Sequence, residues 1–161
     1  MPHREIVTYF SITGTTGRIA QSIAKLRNAD IAAIFPQVPY SVEDLRWPDS
    51  ANCRSAREMK DLNARPAVEP LATDLASYDV VFLGYPIWWG MEPRIIDAFL
   101  ETYDFKGKII VPFATSNGSG MGDGPARIQA LTPGSTVRSA RLIPGDATDD
   151  ALQAWMHSMR L

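Results

Sequence analysis

The sequence has few of the residues that many enzymes use for nucleophilic catalysis or for binding metals. It contains one cysteine, Cys53, and two histidines among 161 residues. A single cysteine excludes an internal disulfide and indicates an inert thiol in a reducing compartment. Two histidines are too few for a histidine-rich metal site, so we predict no metal centre. The absence of a G-x-S-x-G sequence argues against an acyl-transfer hydrolase.

Long apolar runs and an excess of one charge are missing as well. No stretch of about 18 apolar residues occurs, so we expect no membrane insertion. The chain has 16 basic and 18 acidic residues, which leaves no excess of positive charge for binding nucleic acid. The N-terminal sequence MPHREIVTYF passes from charged residues straight into a strand-like run. This start lacks the pattern of a signal peptide, and we therefore expect a cytoplasmic protein.

Short runs rich in β-branched residues alternate with helical patterns along the chain. The patterns predict strands at 6–10, 31–35, 80–83, 109–113 and 137–143, with helices between them and at the C-terminus. Residues 36–72 are less regular and read as a long crossover with a helix near 50–62. The alternation predicts a single α/β domain over 1–161, a three-layer αβα sandwich around a parallel sheet. A doubly wound sheet of five strands in the order 2-1-3-4-5 is the leading topology.

In such sheets, ligands bind outside the carboxyl ends of the strands, where the strand order reverses. The loop after the first predicted strand, at 11–17, has four hydroxyl side chains and two glycines. Hydroxyls and backbone amides at a helix N-terminus can hold a phosphate without a cation. An ordinary N-cap would need one hydroxyl. The loop lacks the G-x-x-x-x-G-K-[ST] and G-x-G-x-x-G sequences, which favours a mononucleotide over a nucleoside triphosphate or a dinucleotide.

Two further loops contain residues that folding alone does not require. Trp88 and Trp89 lie side by side after the third strand, where a planar aromatic ligand could stack on them. The alternative is that one tryptophan packs under the next helix and the other is half exposed. The loop at 114–124, after the fourth strand, has four glycines within 118–124. It allows close approach of a ligand to the backbone, or it is an ordinary surface loop.

These three loops together resemble the flavodoxin-like family, through YFSITGTTG, FLGYPIWWGMEP and VPFATSNGSGMG. The likeness covers about residues 5–145 and implies a flavodoxin-like fold that binds one FMN. Loop one would hold the phosphate, loop two would line the isoalloxazine, and loop three would contact its pyrimidine side. The implied FMN-binding residues are Ser11, Ile12, Thr13, Gly14, Thr15, Thr16, Pro86, Ile87, Trp88, Trp89, Gly90, Thr115, Ser116, Asn117, Gly118 and Gly120.

The resemblance implies an oxidoreductase that passes electrons from NAD(P)H to quinone-like or other small acceptors, with no catalytic side chain required. A non-enzymatic electron carrier that docks to a redox protein is the alternative. It predicts an acidic surface around the flavin, which the sequence could form from Glu92, Asp97, Glu101, Asp104 and Asp123. A further alternative keeps the fold without the flavin, as a phosphate-binding or interaction module.

Overall fold

The computed structural model describes residues 4–45, 53–116 and 120–161. Within these ranges the strands are β1 (Glu5–Tyr9), β2 (Asp30–Ala33), β3 (Val80–Pro86), β4 (Ile109–Thr115), β5 (Thr136–Val137) and β6 (Arg141–Leu142). They form one parallel sheet in the order β2-β1-β3-β4-β5, with β6 also paired to β4. The predicted strand order is therefore confirmed.

The fifth predicted strand, at 137–143, is two short strands in the structure. Along β4, Ile110 pairs with Val137 and Phe113 pairs with Arg141, so the outer strand carries one more residue than β4 between these pairs. Pro112 lies in this interval and has no N–H to donate to a neighbouring strand. The extra residue and the missing donor together explain why the pairing is interrupted.

The helices are α1 (Thr15–Arg27), α2 (Arg54–Lys60), α3 (Arg94–Thr102), α4 (Gly124–Leu131) and α5 (Asp149–Met159). Helices α1 and α5 pack together on one face of the sheet, over a core that includes Val7, Phe82 and Phe113. Helix α3 covers the other face and contributes Ile95, Ile96 and Phe99 to a second core. The apolar runs of β3 and β4 are buried because both faces are covered.

The three candidate loops all leave the sheet at the same edge. Loop one joins β1 to α1, loop two joins β3 to α3, and loop three joins β4 to α4. None of the helices in the described ranges is both long enough and apolar enough to cross a membrane.

Candidate functional site at the carboxyl edge of the sheet

Thr115, the last residue of β4, joins the three loops. Its hydroxyl lies 2.7 Å from the hydroxyl of Thr16 at the start of α1, and both side chains are buried. Its carbonyl accepts a hydrogen bond of 2.8 Å from the backbone N–H of Ile87 in loop two. Loops two and three also meet directly, because a Cβ on Gly122 would overlap the carbonyl oxygen of Gly90. The edge of the sheet is thus a single connected surface.

Loop one is closed by its own hydrogen bonds and leaves hydroxyls facing outward. The Ser11 hydroxyl accepts a hydrogen bond from the N–H of Gly17, at 3.1 Å. Thr13 and Thr15 are exposed, with their hydroxyls 3.3 Å apart. Gly14 is the N-cap of α1 at φ 93°, and the space around its Cα is open. Open space and outward hydroxyls at a helix N-terminus are what a phosphate requires.

A cavity of about 330 Å³ lies on the β2 side of loop one. Arg18 and Gln21 of α1 line it, together with Phe35, which follows β2 and is largely exposed. Loop one is therefore open on this flank as well as above Gly14.

Loop two contains a tight hairpin turn over residues 88–91. Trp88 and Met91 exchange two backbone hydrogen bonds, of 2.9 and 3.1 Å. The two residues between them, Trp89 and Gly90, have φ values of 51° and 75°. Positive φ at both central residues defines a type I′ turn, which suits glycine and asparagine. A tryptophan in the left-handed region is strained, and such strain is concentrated at functional sites.

The two neighbouring tryptophans have different surroundings. The Trp88 ring packs edge-to-face against Phe10, at 5.9 Å between centroids, and against Tyr40, at 5.5 Å. Trp89 lies at the tip of the turn and is 46% exposed. One tryptophan therefore packs inward and the other is half exposed, as the sequence allowed.

The crossover 36–72 reaches the site through Tyr40. Its hydroxyl donates a 2.5 Å hydrogen bond to Glu58 of α2, and the guanidinium of Arg54 stacks 3.9 Å from its ring centroid. Burial and the Glu58 carboxylate raise the pKa of Tyr40 well above its usual value. Tyr40 did not stand out in the sequence, because a lone tyrosine in an irregular segment has no pattern to mark it.

Loop three is described in part. Thr115 ends β4 and Ser116 follows it, and Gly120 is exposed with open space at its Cα. The predicted site residues Asn117 and Gly118 lie outside the described ranges, so their place in the site stays a prediction. The remaining predicted residues of loops one and two, including Ile12 and Pro86, lie along this edge of the sheet.

A cluster of buried charges lies directly behind the hairpin of loop two. Glu92, Arg94 and Asp97 are each fully buried, and Arg127 of α4 donates hydrogen bonds to both carboxylates. Arg94 also donates to the carbonyls of Met59 and Asp61 at the end of α2, at 3.3 and 3.2 Å. The sequence analysis missed this cluster. A signal was present, since Arg94 and Asp97 stand three residues apart on a helix whose other early residues are apolar.

The fold and this edge define an α/β protein of the doubly wound type, with its candidate ligand site at the reversal of strand order. A family profile described as flavodoxin matches residues 4–159. The chain belongs to the flavodoxin family.

Solved structures agree with this assignment. The chain is similar to a protein from Bacteroides eggerthii DSM 20697, provisionally described as a flavoprotein, at 38% identity over 99% of both chains, with a TM-score of 0.92. It is similar to a Bacteroides uniformis ATCC 8492 protein of the same description, at 37% identity over 98% of this chain and 99% of the other, TM-score 0.90. A flavoprotein from Lactobacillus acidophilus NCFM, solved in complex with FMN, shares the fold at 17% identity, 96% and 99% coverage and TM-score 0.71. No curated protein matches the chain.

Proposed function

We propose that the protein binds one FMN non-covalently and acts as an oxidoreductase that passes electrons from NAD(P)H to quinone-like or other small acceptors. The connection of the three loops through Thr115 carries this proposal, because it makes one binding surface from three separate segments. FMN supplies the redox chemistry through its isoalloxazine, while the protein supplies binding, orientation and electrostatics. The FMN complex of the Lactobacillus relative supports the choice of cofactor.

Loop one suits the phosphate of FMN. The exposed hydroxyls of Thr13 and Thr15 flank the open N-terminus of α1, where the helix dipole favours an anion. The Gly17 N–H bond to Ser11 keeps the loop closed, and the buried Thr16 hydroxyl is held by Thr115. Several converging hydrogen bonds of this kind can replace a cation as the partner of a phosphate.

Loops two and three suit the isoalloxazine ring. Trp89 lies half exposed at the tip of a strained turn, and we assign its ring to stacking on the planar ligand. Trp88 lines the site from behind, fixed by Phe10 and Tyr40. We assign the polar edge of the ring to backbone groups near Gly90 and to the residues from Thr115 to Gly120.

The electron-carrier alternative has less support. It needs an acidic surface around the flavin, but Glu92 and Asp97 are fully buried and paired with arginines. Glu101, another of the five carboxylates, forms a 2.7 Å ion pair with Arg65. The remaining two, Asp104 and Asp123, make a weak docking surface for a protein partner.

The test is an absorption spectrum of the purified protein before and after addition of FMN, followed by NADPH and then a soluble quinone. We expect shifted flavin bands on binding, bleaching with NADPH and recovery with quinone. Flavin bands that NADPH leaves unchanged would favour the electron carrier. Failure to bind FMN at micromolar protein would contradict both and leave the flavin-free module.

A further inference from the structure

The buried charges behind loop two leave half of their carboxylate oxygens without a partner. Arg127 donates to Glu92 Oε1 at 2.7 Å and to Asp97 Oδ2 at 2.8 Å. Arg94 Nη1 lies 3.7 and 3.4 Å from the same two oxygens. The other two oxygens, Glu92 Oε2 and Asp97 Oδ1, are buried and have no hydrogen-bond partner within the described part of the chain. Leaving such atoms unsatisfied is costly in a protein interior.

One proton would satisfy these two carboxylate oxygens. The Tyr85 hydroxyl is the third buried polar atom of the described residues that has no hydrogen-bond partner. Two ionised carboxylates only accept hydrogen bonds, so they cannot satisfy each other. If Glu92 is protonated, it becomes a donor to Asp97 while both arginines keep their bonds to Oε1 and Oδ2. Two carboxyl groups that are held close together are expected to share one proton, because their negative charges repel each other when both are ionised.

The surroundings of Glu92 favour a proton at neutral pH. Burial and the neighbouring Asp97 carboxyl group together raise the pKa of Glu92 to about 7, although Arg127 opposes the change. The charged and titratable groups that face the pair are Tyr85 from β3, Arg94 from α3, Arg127 from α4 and Arg65, whose Nη1 lies 3.8 Å from Asp97 Oδ2.

The neighbouring groups do not compete for this proton. A guanidinium group stays charged at all ordinary pH values. Burial beside the two carboxylates raises the pKa of Tyr85 well above its usual value, so this phenol stays protonated. The carboxyl pair is therefore the group of this cluster that can exchange a proton near neutrality.

The pair is in direct contact with the backbone of the candidate site. Glu92 follows Gly90 by two residues, and the Gly90 carbonyl touches Gly122. A Cβ on Gly124 would lie 3.4 Å from Glu92 Oε2 and 3.1 Å from the Tyr85 hydroxyl. The carboxyl pair therefore lies beside the backbone of loops two and three, and charges separated by protein rather than solvent are weakly screened.

We propose that Glu92 and Asp97 hold one proton between them, and that they exchange it with solvent when the charge of an FMN bound on residues 86–90 changes. The coupling to charge rests on the proposed function, whereas the shared proton does not. In those molecules whose carboxyl pair is fully ionised, the added reductant supplies the electrons to FMN and solvent supplies one proton to the pair. That proton forms the O–H bond of Glu92, which changes from carboxylate to carboxylic acid, and no other bond of the pair is made or broken. Glu92 is a positioning residue here, since it acts through the loop.

The shared proton is tested on the FMN-free protein, by carbon-13 NMR titration of the glutamate carboxyl signals, with the Glu92 signal assigned by its loss in Glu92→Gln. We expect Glu92 to titrate near neutrality, with the signal of the exposed Glu101 as the reference. Asp97→Asn removes the neighbouring charge and should move the Glu92 titration down by about one pH unit or more. A Glu92 that titrates with Glu101 would overturn the proposal.

The coupling is tested by the midpoint potential of the FMN-loaded protein as a function of pH, for wild type, Glu92→Gln and Glu101→Gln. We expect a change of slope near pH 7 in wild type and in Glu101→Gln that is absent in Glu92→Gln. The Gln amide can donate to Asp97, so this variant should fold. Equal slopes in all three proteins would overturn the coupling and leave the shared proton intact. Absence of FMN binding would overturn the coupling and the proposed function, while the FMN-free titration would still decide on the proton.

Discussion

At the scale of single residues, Trp88 and Trp89 of loop two have different roles. Trp88 makes edge-to-face contacts with Phe10 and Tyr40 and so joins the loop to β1 and to the crossover. Trp89 stands at the tip of a type I′ turn, in a backbone conformation that favours glycine. Backbone strain of this kind is concentrated at functional sites, so the conformation of Trp89 is consistent with a role in ligand binding.

This division predicts different effects for two neighbouring substitutions. Trp88→Ala should lower the free energy of unfolding of the FMN-free protein by about 2–4 kcal/mol, because it removes the ring contacts with Phe10 and Tyr40. Trp89→Ala should lower it by less, because Trp89 is the more exposed of the two, but it should weaken FMN binding several-fold through a lost stacking contact. Urea unfolding and titration of FMN fluorescence measure the two effects. Equal losses of stability in both variants would contradict the division.

A charge placed in loop one should exclude FMN. Thr13→Glu puts a carboxylate at an exposed position beside the open N-terminus of α1, where it competes with and repels the phosphate. We expect no FMN binding at concentrations that saturate wild type, with unchanged circular dichroism. Thr136→Glu is the matched control, since Thr136 is exposed on β5 near the opposite edge of the sheet. FMN affinity unchanged in Thr13→Glu would remove loop one from the site.

At the scale of elements, the sequence predicted the strands that a local run of apolar residues marks. The apolar runs at 80–83 and 109–113 identified β3 and β4, although both strands continue two or three residues further than predicted. The strand order followed from chain alternation and handedness. The predicted strand at 137–143 is split into β5 and β6 because its pairing with β4 is interrupted opposite Pro112. The residues of 137–143 themselves do not indicate this interruption. Glu92 and Asp97 were offered as surface carboxylates only under the electron-carrier alternative. Their burial was not predictable locally, because their partner Arg127 lies on another helix.

The packing between β3 and β4 depends on the absence of one side chain. Gly84 pairs with Phe113, and a Cβ on Gly84 would overlap the Phe113 ring, which is fully buried. Gly84→Ala should therefore lower the free energy of unfolding by about 1–3 kcal/mol through overpacking.

Denaturant unfolding checks this expectation against Gly120→Ala. Gly120 has open space at its Cα and no positive φ, so this variant should stay within about 0.5 kcal/mol of wild type. If Gly84→Ala were as stable as Gly120→Ala, the Phe113 ring would have to move at little cost.

At the scale of the whole molecule, three distant segments converge because parallel strands end at one edge. Thr16 and Thr115 are 99 residues apart in sequence and 2.7 Å apart at their hydroxyls. The sequence predicted the convergence of the loops, since this follows from topology. The contacts that join them, such as Ile87 to Thr115 and Gly90 to Gly122, depend on exact register and turn geometry and were not predictable.

The buried carboxyl pair makes the stability of the whole molecule depend on pH in an unusual direction. Burial raises the pKa of Glu92 in the folded protein from an ordinary 4.5 to about 7. Between these values the folded state binds more protons than the unfolded state, so stability falls as pH rises. The contribution of Glu92 is fully present below about pH 4.5 and is lost as pH rises through about 7.

Glu92→Gln should remove this dependence, because the amide donates to Asp97 at every pH. Relative to wild type, the variant should gain on the order of 1–3 kcal/mol between pH 5 and pH 7.5, at about 1.4 kcal/mol per pH unit. Urea unfolding at a series of pH values measures the difference, and Glu101→Gln, which alters an exposed ion pair, should run parallel to wild type. A constant difference between Glu92→Gln and wild type across this range would mean that Glu92 is ionised in the folded protein, and Glu92 Oε2 and Asp97 Oδ1 would then need a donor other than the shared proton.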